Sequence, residues 1–334
     1  MPRFVLLLCL LASGAPLGRG HPGAAVQSAS RELLRLEQSS DAMGTSYSVA
    51  LYGYDRNQML AAMEAAFEEV RRLDGLLSNY RDGSDLSQVN RFAAERPVKV
   101  TPEFFDLLER CLEYSRESEG AFDISVGPLM KVWGFYKGSG RLARHNDVDQ
   151  ALRITGYRNI LLDAGNRTVR FAQPGVELDP GGIGKGFAVD RMVEVLKENG
   201  ILSALVSAGG SSIYALGVPD HQPGWEIQIR DPKDRAKTLA NLTLKDESLS
   251  TSGSYEKFFM VDGKVYSHIM DPRTGYPATG VLAVSVVAPM TLDSEAWTKP
   301  YFINGRQWAA QHKPKTFRVF LCEDKAEHPC AWLP

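Results

Sequence analysis

Apolar residues recur at the three- and four-residue spacing of amphipathic helices in three segments of the chain. The first segment, residues 57–78, has an apolar stripe that consists of Leu60, Met63, Phe67, Val70 and Leu77. The second begins at Pro102, a residue type favoured in the first turn of a helix, and its stripe consists of Phe104, Leu107, Leu108, Cys111 and Leu112. The third follows Lys185 and ends at Gly200, with a stripe of Ala188, Met192, Val195 and Leu196. These patterns predict three helices that each bury one face.

The other apolar segments are short, and several follow the two-residue alternation of strands. Residues 42–53 predict one strand, and residues 201–217 indicate a buried strand with a tight bend at Gly209 and Gly210. Four more strands are predicted at residues 225–229, 264–270, 281–288 and 317–322. Residues 120–135 are apolar but interrupted by Gly and Pro, which predicts a packed loop or a short strand.

Helices and strands follow each other without the regular strand–helix–strand order of parallel α/β proteins. We therefore predict an α+β fold with mixed, largely antiparallel sheets packed with helices in one large two-lobed domain. A chain of 334 residues, 44% of them hydrophobic, is long and apolar enough for a substantial core. We expect this domain to cover residues 41–334, after a flexible N-terminal segment at residues 23–40.

The first 22 residues have the features of a secretory signal peptide, with Arg3 followed by an apolar run and small residues. No later segment has the roughly 18 consecutive apolar residues that a spanning helix needs. We therefore expect a periplasmic or secreted bacterial protein that is not an integral membrane protein after signal removal. Lys and Arg number 38 against 40 Asp and Glu, a net charge of -2, which argues against a nucleic-acid partner and favours a small molecule or a protein.

Signal removal would also remove Cys9 and leave three cysteines. Cys111 lies on the apolar face of the helix that begins at Pro102, which predicts a buried thiol. Cys322 and Cys330 either close a small disulfide loop in an oxidising compartment or remain free thiols, and the sequence leaves both open. The sequence contains neither a Cys-x-x-Cys pair nor a Cys/His cluster with metal-ligand spacing.

A glycine-rich turn, ELDPGGIGKGFAVDR at residues 177–191, precedes the third predicted helix. Such turns often bind phosphate, because unpaired N–H groups and the positive end of the helix dipole converge there. The segment is not a Walker A loop, since Asp179 stands five positions before Gly184 and Gly186 follows Lys185. It also lacks Rossmann spacing. The glycines serve either a ligand or close packing of a strand against a helix.

Together with four other segments, this turn resembles the ApbE-type FAD:protein FMN transferases from about residue 43 to about residue 308. The other segments are MGTSYSV, LSNYRDGSDLSQVN, GAFDISVGPL and YSHIMDPRTGYP, with SALVSAGGSSIYALG completing the set. The resemblance implies an ApbE-like, T-fold-like domain. It also implies that FAD is bound by Met43, Tyr80, Ala121, Phe122, Asp123, Asp179, Lys185 and Ile269.

The reaction that the resemblance implies cuts the pyrophosphate of FAD, transfers FMN to a threonine of a target redox protein and releases AMP. Phosphoryl transfer depends on neutralising the charge that develops on phosphate oxygens, a role for Mg²⁺, Lys185 and backbone N–H groups. His268 is the candidate proton acceptor, because an imidazole titrates near neutral pH. Arg273 either contacts phosphate or forms an ordinary salt bridge with Asp271.

The segment TLDSEAWTKPYFING departs from the family pattern at the expected Mg²⁺ site. An ungapped match places Glu295 at the family's aspartate and Lys299 at its threonine, with a backbone carbonyl of Gly182 completing the site. A one-residue gap returns Thr298 to the threonine position, and a two-residue shift offers Asp293. Lys299 either repels the cation, substitutes for its charge, or forms an ordinary surface ion pair with Glu295.

Two other functions are compatible with the same residues. The first is a magnesium-dependent FAD pyrophosphatase, in which water replaces the threonine and the products are FMN and AMP. The second is a non-catalytic FAD-binding protein, which the departure at Lys299 favours.

Overall fold

The computed structural model describes residues 32–136, 138–325 and 329–334. The predicted signal peptide, residues 1–22, and residues 23–31 of the predicted flexible segment lie outside the described residues. The main folded unit spans Leu33–Pro334. In the part of the chain that is described, no helix combines the length and the apolar composition needed to cross a membrane.

Helices and short strands are mixed along the chain, as predicted, and the fold class is α+β. The helices are α1 (Arg56–Leu76), α2 (Asp85–Phe92), α3 (Pro102–Glu117), α4 (Gly127–Val132), α5 (His145–Ile154), α6 (Gly184–Glu198) and α7 (Thr291–His312). The strands are β1 (Leu34–Ala42), β2 (Thr45–Gly53), β3 (Val98–Lys99), β4 (Ile160–Asp163), β5 (Thr168–Phe171), β6 (Ala204–Ala208), β7 (Ser212–Leu216), β8 (Trp225–Arg230), β9 (Thr238–Leu244), β10 (Glu247–Gly253), β11 (Phe258–Val261), β12 (Lys264–Ser267), β13 (Met270–Asp271), β14 (Tyr276–Pro277), β15 (Val281–Ala288), β16 (Arg318–Glu323) and β17 (Cys330–Trp332).

An antiparallel sheet of eight strands forms the centre of the described chain, in the order β1-β2-β6-β7-β10-β15-β16-β17. Smaller sheets pair β3 with β5 and β4, β8 with β9, β11 with β12, and β13 with β14. Every pairing between these strands is antiparallel, which confirms the predicted sheet type.

Two helical layers cover the central sheet and form its core. The apolar faces of α1 and α6 pack on β2 and β6, and this cluster includes Tyr47, Leu51, Met63, Phe67 and Met192. The first half of α7 packs on β10 and β15 in a second cluster. The hairpin of β8 and β9 covers other residues of the sheet through Trp225, Ile227 and Leu242. The site described below lies where α6 and α7 meet the ends of these strands.

The three helices predicted from periodicity are present. Helix α3 begins at Pro102, and the Thr101 hydroxyl caps it by accepting a hydrogen bond from the N–H of Phe104. Helix α6 ends just before Gly200, whose φ of +76° is favourable only for glycine at this kind of helix terminus. Local sequence signals therefore determine where these helices begin and end.

The folded chain begins earlier than predicted, because residues 34–40 belong to β1 and not to a flexible segment. This strand pairs with β2 along its whole length, from Leu34 opposite Gly53 to Ala42 opposite Thr45. Polar residues dominate its sequence because β1 is the edge strand of the sheet and much of it is exposed to solvent.

Two segments contain more structure than the sequence indicated. Residues 201–217 form two strands, β6 and β7, which turn at the glycine pair instead of continuing as one bent strand. Residues 120–135 begin as a packed loop, as predicted, and continue into the short helix α4.

The structure decides whether Cys322 and Cys330 form a disulfide, a question that the sequence left open. Cys322 and Cys330 face each other on the neighbouring strands β16 and β17 and form a disulfide. Cys111 is free and fully buried, as predicted, and burial raises the pKa of its thiol. A buried thiol of this kind packs as a small apolar side chain.

Reduction of the Cys322–Cys330 disulfide should lower the free energy of unfolding by about 2 kcal/mol, because the bond restricts a short loop of the unfolded chain. Urea unfolding with and without a reductant measures the difference. The Cys111→Ala variant should respond to reductant as the parent does, and Cys330→Ser should not respond. Equal stability of the parent under both conditions would contradict this prediction.

Candidate functional site

The glycine-rich turn forms a short 3-10 turn, Pro180–Gly182, that leads directly into α6. The main-chain N–H of Asp179 donates to the carbonyl of Ile124 at 2.8 Å, which ties the turn to the loop before α4. The carboxylate of Asp179 accepts a hydrogen bond from the N–H of Gly181 at 2.7 Å. Burial raises the pKa of Asp179, and the bond from Gly181 opposes that shift. Asp179, a predicted FAD-binding residue, therefore holds the turn in shape.

Two glycines of the turn have distinct roles. A Cβ at Gly186 would lie 2.5 Å from the carbonyl oxygen of Thr291, so only glycine allows α6 to approach α7 this closely. A Cβ at Gly182 would lie 3.4 Å from Cε of Lys299 and 3.7 Å from the ring of Phe122. Close packing thus explains Gly186, whereas Gly182 lies directly against two side chains that the sequence singled out.

Lys185, in the first turn of α6, connects three predicted segments. Its Nζ donates to the hydroxyl of Ser211, which lies in the glycine turn between β6 and β7. The same Nζ lies 4.0 Å from Oε1 of Glu295 on α7. The structure therefore brings Lys185 together with the SAGGSS turn, through Ser211, and with the segment TLDSEAWTKPYFING of α7, through Glu295.

Glu295 is buried, with 3% of its surface exposed, and its Oε2 accepts a hydrogen bond from the N–H of Gly186. Lys299 donates from Nζ to the backbone carbonyl of Glu295 at 2.9 Å, not to its carboxylate. Of the alternatives that the sequence left open for Lys299, the surface ion pair with Glu295 is therefore not formed, because Glu295 is buried and Lys299 bonds to its backbone carbonyl. Burial lowers the pKa of Lys299 to about 8, with Lys185 adding to the shift and Glu295 opposing it. The ammonium is therefore largely protonated at pH 7.

The sequence interpretation did not include Asp190, which fixes the start of α7. Its two carboxylate oxygens accept hydrogen bonds from the main-chain N–H groups of Thr291 and Leu292, each at 2.8 Å. Burial raises its pKa to about 6. Asp190 lies four residues after Gly186, on the face of α6 that meets α7, and this spacing is the sequence signal that would have identified it.

The four residues predicted to bind Mg²⁺ do not form one ligand set. Asp293 pairs with Arg110 at 3.0 Å and accepts a hydrogen bond from the hydroxyl of Tyr114 on α3. Thr298 is fully buried, and its hydroxyl lies 2.7 Å from the carbonyl of Glu295 and 2.7 Å from the hydroxyl of Ser252. Glu295 and Gly182 are linked only through the side chain of Lys299, which lies against Gly182 and bonds to the carbonyl of Glu295.

Helix geometry explains this outcome. Residues two apart on a helix lie on nearly opposite faces, so Asp293 cannot share a site with Glu295, whereas Lys299 at i+4 lies on the same face as Glu295. Within the described ranges, no group of three or more His, Cys, Asp or Glu side chains is arranged to hold a metal ion. Because the oxygens of Glu295 and Thr298 are engaged within the protein and the ammonium of Lys299 lies beside them, the residues present at this site do not fit a Mg²⁺ ion.

The Gly-Ala-Phe-Asp loop lies on the other side of Gly182. Ala121 and Phe122 are buried, with 1% and 4% exposure, and the ring of Phe122 packs edge-on against Tyr114. Asp123 accepts hydrogen bonds from the N–H and hydroxyl of Ser125 and from the N–H of Tyr157. Burial raises the pKa of Asp123, and these bonds oppose the shift. Both carboxylate oxygens of Asp123 are engaged by the chain itself, so Asp123 ties this loop to Ser125 and Tyr157.

His268 is half-buried next to the lysines. Its Nδ1 lies 3.1 Å from the carbonyl of Lys257, an acceptor, so Nδ1 carries the proton and Nε2 keeps its lone pair. Burial lowers the pKa of His268 to about 4, and the charges of Lys257, Lys299 and Lys185 contribute to the decrease. His268 is therefore a neutral imidazole at pH 7 within electrostatic reach of two site lysines. Ile269, the next residue, is buried in the core.

Arg273 lies apart from the lysines. Its guanidinium forms two hydrogen bonds with Asp271, at 2.9 and 3.0 Å, and a third with Asn304 at 2.8 Å. The salt bridge that the sequence left as one alternative is therefore present. Arg273 lines a cleft of about 430 Å³ together with Gly120 and Asp123 of the Gly-Ala-Phe-Asp loop.

Met43 and Tyr80 complete the predicted set. Met43 and Gly44 form a two-residue turn between β1 and β2, and both have positive φ, +50° and +72°. The methyl group of Met43 would lie 3.2 Å from a Cβ at Gly184, which places this side chain against the glycine-rich turn. Tyr80 is 66% exposed and lies beside Tyr136, with ring centroids 6.1 Å apart.

Comparison with known proteins matches these features to one family. The model of the ApbE family matches residues 43–320. A FAD:protein FMN transferase of Treponema pallidum is 35% identical over 283 residues, which cover 79% of this chain and 78% of the relative. One of Klebsiella pneumoniae is 33% identical over 264 residues, 78% of this chain and 79% of the relative.

Solved structures give the same result. The crystal structure of the ApbE protein of Thermotoga maritima has a TM-score of 0.82 and 29% identity, covering 90% of this chain and 96% of that protein. The flavinyl transferase ApbE of Pseudomonas stutzeri, in its apo form, has a TM-score of 0.78 and 26% identity, covering 88% and 93%. The fold and the glycine-rich turn thus define a flavin-transferase class of domain. The chain belongs to the ApbE family.

The protein should lose stability as the pH falls from about 6.5 to about 4, because the unfolded imidazole of His268 gains a proton near 6.5 and the folded one near 4. In that interval the unfolded state binds more protons, so acidification favours unfolding. Melting temperatures of the parent and of His268→Gln across this range isolate the contribution of His268. As the pH falls, the melting temperature of the parent should decrease relative to that of His268→Gln. His221→Gln, at an exposed turn, should follow the parent. Parallel curves for parent and His268→Gln would contradict the prediction.

Proposed function

We propose that the protein is an FAD:protein FMN transferase that attaches FMN to a threonine of a target redox protein and releases AMP. The observation that carries this proposal is the position of Lys185, Lys299 and a neutral His268 around the N-terminal end of α6. Membership of the ApbE family and the transferase names of its relatives support it.

Binding of the diphosphate is assigned to the turn and the lysines. The first turn of α6 presents main-chain N–H groups and the positive end of the helix dipole, both favourable for an anion. Lys185 and Lys299 add two positive charges at the same place, next to Gly182. Because half-buried charges are screened less than surface charges, each contact with a phosphate oxygen is strengthened.

Binding of the apolar part of FAD is assigned to Met43, Phe122 and Tyr80. Met43 contacts Gly184, and Phe122 contacts Gly182. An apolar ring system needs such flat or polarizable partners, and thioethers and aromatic rings provide them. Tyr80 and Tyr136 form an aromatic rim, and burial, together with the charges of Glu177 and Asp179, raises the pKa of Tyr136 to about 12.

The chemical step forms a bond between the threonine oxygen and the phosphorus of the FMN half and breaks the bond between that phosphorus and the bridging oxygen. AMP leaves with the bridging oxygen. Nε2 of His268 takes the threonine proton, because its lone pair is not used by the hydrogen bond at Nδ1. A bound diphosphate would bring negative charge close to the imidazole and raise its pKa toward the value that a general base needs.

Export to the periplasm or secretion remains part of this proposal. The support is the signal-like composition of residues 1–22 and the disulfide between Cys322 and Cys330, since disulfides persist in oxidising compartments. The target would then be a redox protein in the same compartment.

Incubation with FAD and a candidate threonine-bearing acceptor, followed by intact mass of the acceptor, tests the function. The acceptor should gain the mass of the FMN group and AMP should be released. His268→Ala should lower the rate of transfer by at least about 100-fold, the usual contribution of a general base, with FAD affinity close to the parent. Release of AMP and FMN with an unmodified acceptor would identify a hydrolase instead, and parent-like transfer by His268→Ala would exclude His268 as the base.

Met43→Asn should weaken FAD binding by about tenfold and also lower the melting temperature, because the side chain of Met43 packs against the core and accepts a hydrogen bond from the hydroxyl of Tyr47. Asparagine is favoured at the first position of a two-residue turn with positive φ, but it lacks the apolar contact with Gly184. Asp262→Asn is the matched control, because Asp262 and Gly263 form a turn of the same kind between β11 and β12. Isothermal titration with FAD measures the affinity of both variants. Equal affinity of Met43→Asn and the parent for FAD would show that Met43 does not contact FAD.

A further inference from the structure

Lys299 places its side chain between the glycine-rich turn and α7. Its Cε lies 3.4 Å from the Cβ position of Gly182, and its Nζ bonds to the carbonyl of Glu295 at 2.9 Å. The family resemblance placed a divalent cation between this same glycine and this same helix position. A fixed ammonium therefore stands where the cation was expected.

The oxygen atoms around Lys299 are already engaged within the protein. Oε2 of Glu295 accepts from Gly186, and Oε1 lies 4.0 Å from Nζ of Lys185. The hydroxyl of Thr298 lies between the carbonyl of Glu295 and the hydroxyl of Ser252. Mg²⁺ requires near-ideal octahedral oxygen ligands at short distance, and these oxygens would have to leave their partners to supply them.

The charges at the site also disfavour a second cation. Lys185 and Lys299 contribute two positive charges against the single negative charge of Glu295. A divalent ion would meet both ammonium groups at close range. A diphosphate, by contrast, is attracted by them and by the N–H groups of the turn.

We propose that the ammonium of Lys299 takes the place of the divalent cation at this site, so that the protein binds the diphosphate of FAD without Mg²⁺. The inference rests on the proposed function, because it concerns the same FAD site. The sequence left the role of Lys299 open, and this inference assigns it a role in binding the substrate. An ammonium also carries one charge where Mg²⁺ carries two, so the same position neutralises the diphosphate less completely.

Isothermal titration of the full mature chain with FAD, in EDTA and in excess MgCl₂, tests the inference. The parent should bind FAD with closely similar affinity in both buffers. Lys299→Met, which keeps the aliphatic length but removes the charge, should weaken binding about tenfold to a hundredfold in EDTA, as expected for loss of a charge-assisted contact. Lys299→Thr should be equally weak in EDTA and should recover on addition of MgCl₂.

A direct readout of metal binding uses Mn²⁺, which takes the same oxygen ligands as Mg²⁺ and is detected by electron paramagnetic resonance. In the presence of FAD, the parent should bind no stoichiometric Mn²⁺ and Lys299→Thr should bind one equivalent. Lys315→Met, an exposed lysine beyond α7, is the control and should match the parent in every measurement. Thermal unfolding of each variant shows whether it is folded.

The outcomes separate the two proposals. FAD binding by the parent that requires MgCl₂, or stoichiometric Mn²⁺ bound to the parent, overturns the role of Lys299 and leaves the FAD site intact. If Lys299→Met is folded and binds FAD in EDTA as tightly as the parent does, the role of Lys299 is likewise overturned and the FAD site stays intact. Absence of FAD binding by the parent in both buffers overturns the proposed function itself.

Discussion

The contact between α6 and α7 is the constraint on which the site depends. Gly186 permits the close approach, its N–H is bound by the buried carboxylate of Glu295, and Asp190 binds the first N–H groups of α7. Both carboxylates are largely removed from water, a cost that these hydrogen bonds and, for Glu295, the nearby charge of Lys185 offset. The glycine-rich turn, the lysines and the helix that faces them are therefore positioned as one unit.

This arrangement also determines what the site can bind. A site with an exposed carboxylate cluster would attract cations, whereas here Glu295 is buried and bonded and the accessible groups are Lys185, Lys299 and main-chain N–H groups. His268 remains neutral beside them, because protonation would place a third positive charge in a half-buried position. The balance of charge at the site therefore favours an anion over a cation.

Much of the fold was predictable from the sequence, because the signals were local. The periodicity of α1, α3 and α6 and the residues at their ends determine those helices. Strand β1 was missed because an edge strand with exposed polar residues lacks an apolar alternation. The disulfide could not be decided before the pairing of β16 with β17 was known.

The site was predictable in its parts but not in its assembly. The segments around Lys185, Phe122, His268 and Glu295 were identified, and the structure brings them together. The choice between Asp293, Thr298 and Lys299 depended on which face of α7 turns toward Gly182, and an alignment with a shifting register cannot determine a helix face. The partners of Asp190 lie on a helix about 100 residues later in the chain, and its spacing from Gly186 on the same face of α6 was the one local signal of its role.

Hydrogen bonds hold both ends of the first part of α7, residues 291–304. Asp190 holds residues 291 and 292 at the beginning, and Asn304, just before the non-helical Gly305, is bonded to Arg273 at the end. These hydrogen bonds oppose sliding of the helix along its axis, where a shift by one residue would be about 1.5 Å. Substitution at position 299 therefore changes the charge beside Gly182 while the backbone contacts that position α7 stay the same.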